Sequence, residues 1–119
     1  MERLFLGARV INPASGYNNL ADILVRDGKI ERIGQDLAPE YPNAEKIEVN
    51  GLVAAPGLVD MHCHLRQPGF EYKEDILSGT ASAAVGGFTS VAPMPNTNPV
   101  CDTPEKVREL LAQPAHVQL

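Results

Sequence analysis

Asp60, His62 and His64 stand at alternate positions in GLVDMHCHLRQPGFEYKE, residues 57–74, and Arg66 follows at the same spacing. Side chains two apart on a β-strand point the same way. The spacing predicts Asp60, His62, His64 and, if the strand continues, Arg66 on one face. Met61, Cys63 and Leu65 then share the other face, which would meet helices. Two neutral imidazoles converging from one strand suit a borderline cation such as Zn²⁺. Asp60 could orient one ring as an acceptor for its second nitrogen. Two histidines do not complete a four-coordinate site, so H-x-H alone leaves the metal undecided.

Asn96, in APMPNTNP, is the next polar residue able to do chemistry. If consecutive strands are neighbours, it lies beside the Arg66 region. An arginine fork binds a carboxylate through two parallel hydrogen bonds, and a nearby amide adds a directional one. On composition alone, PNTNP reads as a turn and Arg66 as a surface charge. Cys63, facing away from the histidines, reads as core. Cys101 reads as an inert loop residue, His116 as isolated, and Lys73, Glu74 and Asp75 as a solvated first helical turn suited to the helix dipole.

These residues need elements to hold them. Residues 1–55 look all-β: RLFLGARVIN, ADILVRDGKIERIG and AEKIEVNGLVAA are short, β-branched and broken by Gly, Pro and Asn. In ILVRDGKIERI, Asp27-Gly28 suits a two-residue type I′ turn. Ile23 and Val25 should face one side of that strand, and Asp22, Leu24 and Arg26 the other. Residues 56–119 change character. Leu58 to Leu65 reads as a strand, about Lys73 to Val85 as a helix, and Phe88 to Met94 as a second strand. The helix should bury Ile76, Leu77, Ala81 and Ala84, with Thr80 on the same face. Gly86-Gly87 should end it. Thr103 and Pro104 are a good N-cap and first residue for a second helix, with Val107, Leu110 and Leu111 in register until Pro114. His116 to Leu119 would begin a third strand. Strands alternating with helices imply a parallel sheet, whose active sites lie at the strands' C-terminal ends.

Two βα units cannot close a (β/α)8 barrel, which takes roughly 250 residues. The 119-residue chain therefore reads as the N-terminal piece of a larger protein. Hydrophobic residues make up 44% and the net charge is -5, with acids and bases mixed. That balance argues against nucleic acid as a partner, which usually demands a basic face. No apolar run approaches the roughly 20 residues of a membrane span. MERLFLGARV lacks the apolar core of a signal peptide. Two cysteines outside any C-x-x-C pattern fit a reducing compartment. The expectation is a cytoplasmic protein with no membrane partner.

PGLVDMHCHLRQPGFEYKEDILSGTASAAVGGFTSVAPMPNTNPV, from about Pro56 to Asp102, resembles the opening of the dihydroorotases, within the amidohydrolase superfamily. ADILVRDGKIERIGQDL resembles that superfamily's N-terminal β-module. D-x-H-x-H is shared with hydantoinases and allantoinases. His64-Leu65-Arg66, Pro68-Gly69, Glu71, Lys73-Glu74, Gly86-Gly87-Phe88-Thr89 and Met94-Pro95-Asn96-Thr97 carry the more specific likeness. The resemblance implies an α/β fold: a β-rich, sandwich-like module over 1–55, then over 56–119 the first two βα units of an amidohydrolase-type TIM barrel, incomplete in this chain. It implies one or two Zn²⁺ per site, with His62 and His64 as metal ligands, Asp60 behind them, and Arg66 and Asn96 on the substrate carboxylate. The implied reaction is the reversible hydrolysis of (S)-dihydroorotate to N-carbamoyl-L-aspartate, in pyrimidine biosynthesis.

The family's remaining metal ligands and its general acid/base aspartate belong to later strands, so no catalytic acid/base is expected within these residues. The isolated chain is expected to be inactive. Two other readings stand beside this one. One is another cyclic-amide hydrolase, an allantoinase or hydantoinase. The other is a non-catalytic subunit partnering aspartate transcarbamoylase, which the retained histidines disfavour. A homo-oligomer is also left open.

Overall fold

A computed structural model describes residues 1–119. The chain divides into two compact units, Met1–Pro56 and Gly57–Leu119.

The first unit contains β1 (Glu2–Asn12), β2 (Tyr17–Arg26), β3 (Lys29–Gly34), β4 (Glu45–Glu48) and β5 (Val53–Ala54). They form one five-stranded sheet in the order β3-β2-β1-β4, with β5 also on β1, where a sandwich-like module was expected. β1 to β3 are antiparallel neighbours; β4 and β5 run parallel to β1. Asp27 and Gly28, at φ 50° and 78°, make the left-handed pair of the expected turn. The alternation along β2 also holds, but both faces are apolar. Leu24 packs with Leu4, Leu37 and Ala44. Ile23 packs with Ala8, Val10 and Ala21.

Asp22 holds this sheet together in a way its sequence position does not advertise. β1 shifts register between Phe5 and Ala8, and Gly7 takes φ 75° there. A Cβ at Gly7 would come within 2.1 Å of Asn50 Oδ1. The shift frees the Gly7 N–H, which donates to Asp22 Oδ1 at 2.9 Å. The Leu37 N–H donates to Asp22 Oδ2 at 3.0 Å. The buried carboxylate thus satisfies two backbone donors that would otherwise lose water without gaining a partner.

The second unit contains β6 (Leu58–Cys63), α1 (Ile76–Val85), β7 (Phe88–Pro93) and α2 (Pro104–Leu111). β6 and β7 pair in parallel, from Leu58↔Phe88 to Cys63↔Pro93. Val91 N donates to Gln118 O at 2.9 Å and Gln118 N to Thr89 O at 3.0 Å. This is an isolated parallel bridge at Ser90↔Gln118, not the third strand expected over 116–119. No helix is long and apolar enough to cross a membrane.

Several expected boundaries and faces differ. β6 stops at Cys63, not Leu65, because Gln67 N turns back to Leu65 O at 2.7 Å and Arg66 is left-handed, at φ 64°. α1 begins at Ile76, not Lys73. Asp75 is its extended N-cap, forming a capping box with Ser78. Those Ser78 hydrogen bonds hold the Asp75 carboxyl below its usual range. The buried line of α1 is Ile76, Gly79 and Thr80, with Ala83 beside it on the core. Leu77 is 46% exposed. The face is set at Gly79, where a Cβ would lie 2.7 Å from Leu65 Cδ2. Gly87, at φ 85°, ends the helix region as expected. Thr103 and Pro104 cap and start α2 as expected, but of its repeat only Leu110 packs on the core of Leu65, Ile76 and Val91.

Replacing Asp22 by Ala strands two backbone donors and is expected to destabilise the protein by about 2–4 kcal/mol. Asp22→Asn, which keeps one carbonyl acceptor, should lose roughly half as much. Urea unfolding measures both; a wild-type midpoint for Asp22→Ala would remove the carboxylate from this role.

Candidate metal and carboxylate site

Parallel pairing places the C-terminal ends of β6 and β7 side by side. Met94 N donates to Cys63 O at 2.8 Å, fastening the two ends where the chains leave the sheet. The His62 and His64 ring centroids lie 5.3 Å apart, tilted by 58°. His64 Nδ1 and Asn96 Oδ1 are 2.9 Å apart. The structure therefore brings His62, His64 and Asn96 together from two adjacent strand ends.

The loops bearing these residues are braced. Thr97, buried beside exposed Asn96, donates its hydroxyl to Pro99 O at 2.8 Å. Cys101 N donates to Pro95 O, and Asn98 N to Pro68 O, both at 3.0 Å. The second of these ties the β7 loop to the β6 loop. Gln67 Oε1 accepts from Ile76 N at 2.9 Å, tying the β6 loop to the start of α1. Thr80, fully buried, donates to Ile76 O at 2.6 Å and accepts from His116 N at 3.0 Å. Thr97 and Gln67 had no role in the sequence reading. Both lie within segments quoted for their resemblance, but residue type alone does not say which backbone groups they bond.

Asp60 Oδ1 accepts the backbone N–H of His62 at 2.9 Å, not an imidazole N–H. The Asp60 carboxylate braces the strand that carries the histidines. Arg66 leaves β6 in its left-handed conformation, so it reaches its position through a turn rather than by strand alternation. Its guanidinium forms no ion pair. Met61 is 79% exposed, against the expectation that it meets the helices. The pairing slips between Asp60 and Cys63, which breaks the alternation there. Cys63 does pack on the core. It also lines a cavity of about 260 Å³ with Asp60, His64 and Glu74. Burial, then the charges of Asp60 and Glu74, push its thiol above the usual range.

The donor set can be tested against a divalent cation. No group of three His, Cys, Asp or Glu side chains converges anywhere in the structure. The two imidazoles fit as a partial set, two nitrogen ligands of the four that a zinc site uses. A carboxamide oxygen can only accept, so this contact needs an Nδ1–H donor, and in a neutral ring that leaves the lone pair on Nε2.

Residues 51–117 match the model of the dihydro-orotase-like family. The chain is 54% identical over 108 residues to a dihydroorotase of Acetivibrio thermocellus, an alignment covering 91% of this chain and 25% of that protein. It is 50% identical over 114 residues to a dihydroorotase of Geobacter metallireducens, covering 95% and 26%. Among solved structures, the L-hydantoinase (dihydropyrimidinase) from Arthrobacter aurescens matches with a TM-score of 0.82 at 31% identity, over 95% of this chain and 25% of that one. The chain thus spans about a quarter of the length of the curated relatives it matches.

The raised Cys63 thiol yields a prediction, because the thiolate is the nucleophile. Iodoacetamide near neutral pH should alkylate Cys63 more slowly in folded protein than in urea-unfolded protein, followed by peptide mass. Equal rates would show an exposed, ordinary thiol.

Proposed function

This chain belongs to the dihydro-orotase-like family, and on that premise we propose that the complete protein carrying it is a dihydroorotase. It would interconvert (S)-dihydroorotate and N-carbamoyl-L-aspartate in cytoplasmic pyrimidine biosynthesis. The observation that carries this reading is the convergence of His62, His64 and Asn96 at two adjacent strand ends. In this reading residues 1–55 belong to the β-module of the amidohydrolase composite domain. Residues 56–119 supply the first two βα units of a metal-dependent (β/α)8 barrel.

Each residue takes a distinct role. His62 and His64 hold Zn²⁺, to which imidazole nitrogen is well suited. When bound, the cation supplies polarisation of the ring amide carbonyl and acidifies the attacking water. Arg66, free of any internal ion pair, offers its planar fork to the substrate carboxylate. Asn96 adds a hydrogen bond from Nδ2. Asp60 steadies His62 through its backbone. The carboxylate that moves a proton to the leaving nitrogen is expected outside residues 1–119, so the chain by itself is expected to be inactive.

Hydantoinase activity is the second reading, favoured by the structural likeness to the Arthrobacter enzyme. Arg66 separates the two, because dihydroorotate carries a carboxylate that hydantoin lacks. The test is turnover of dihydroorotate, hydantoin and allantoin by the complete protein. Dihydroorotate should be preferred, and His62→Ala should lower its kcat/KM by about 10³-fold. Arg66→Met should raise KM for dihydroorotate about 10–100-fold, as expected for lost hydrogen bonds to a charged group. Preference for hydantoin, indifferent to Arg66→Met, would overturn the proposal.

A further inference from the structure

The 2.9 Å contact between His64 Nδ1 and Asn96 Oδ1 links a residue of the β6 end to one of the β7 loop. An amide oxygen has no proton to give, so the ring nitrogen must donate. In a neutral imidazole the other nitrogen then carries the lone pair. We propose that Asn96 is a positioning residue for His64: its amide oxygen fixes the imidazole as the Nδ1–H tautomer and so reserves Nε2 for a divalent cation. The inference rests on the reading of His64 as a metal ligand.

One general rule and two observations support it. A histidine that ligates through one nitrogen usually donates its other N–H to a fixed acceptor. Asp60, the acceptor the sequence first offers, accepts the His62 backbone N–H at 2.9 Å and bonds neither imidazole ring. Asn96 is held in place by its neighbours: Thr97 bonds Pro99 O at 2.8 Å, and Asn98 N bonds Pro68 O at 3.0 Å.

The bond also orients Asn96 itself. With Oδ1 committed to His64, both Nδ2 hydrogens are turned elsewhere and remain donors for an anionic group. One amide thus serves the ring on its acceptor side and the substrate carboxylate on its donor side. Reversing the His64 tautomer would require flipping the amide, which would present an oxygen to that carboxylate.

The test uses the complete protein labelled with ¹⁵N-histidine and freed of metal by chelation. Long-range ¹H–¹⁵N correlation reads the tautomer, and His64→Gln assigns the signals. The expected spectrum has a protonated Nδ1 and an unprotonated Nε2 at His64. Asn96→Ala should shift the ring toward Nε2–H and weaken Zn²⁺ affinity about 10–100-fold. Asn96→Asp keeps the acceptor and loses the donors. It should therefore retain the Nδ1–H signature, bind Zn²⁺ at least as tightly as wild type, and raise KM for dihydroorotate. An Nε2–H spectrum in the wild-type protein, or an Asn96→Ala variant with unchanged tautomer and Zn²⁺ affinity, would overturn the inference. Spectra and Zn²⁺ titrations need no substrate, so the two readings fail separately. The expected tautomer in a protein inactive on dihydroorotate sinks only the assigned reaction; dihydroorotate turnover with an Nε2–H ring sinks only the role of Asn96.

Discussion

The parallel pairing of β6 with β7 brings His62, His64 and Asn96 to one end of the sheet. Parallel strands cannot be joined by a tight turn and need a crossover segment, usually a helix. α1 provides it, lying close enough for Leu65 to approach the bare Cα of Gly79. Because both strands run the same way, both C-terminal ends emerge together. The Met94–Cys63 backbone bond then fixes their relative height. His64 and Asn96, 32 residues apart in sequence, become hydrogen-bond partners as a consequence.

The polar groups around the site divide into those spent on the fold and those left for chemistry. Asp60, Gln67, Thr80 and Thr97 are spent: each is hydrogen-bonded to a backbone group of the strand, helix or loop beside it. The Arg66 guanidinium and the ring nitrogens of His62 have no such internal partner. Side chains that must act on a ligand gain from this division, because their neighbours supply rigidity without occupying them. The first unit follows the same logic in Asp22, which closes the backbone account at the register shift of β1.

The sequence was readable where a local rule decides the outcome. The Asp27-Gly28 turn, the Thr103-Pro104 helix start and the Gly87 helix end depend on a few adjacent residues, and all were legible. Alternation identified the two histidines as same-face neighbours. It failed at Met61 and Arg66, because a register slip and a left-handed residue interrupt the strand. The face of α1 was legible in part. Ile76 and Thr80 are buried as expected, but Leu77, which hydrophobicity marked, is exposed, because the close approach of Leu65 is to Gly79. The Asn96–His64 bond was beyond sequence reasoning, since proximity of strand ends does not specify which side chains meet.

A crystal structure of the complete zinc-loaded protein, with anomalous differences measured at the zinc edge, would show whether the two histidines hold the metal. An anomalous peak is expected at about 2.0–2.1 Å from a ring nitrogen of His62 and of His64, with Nε2 as the ligand atom of His64. A zinc peak elsewhere, with both imidazoles free, would overturn their assignment as metal ligands.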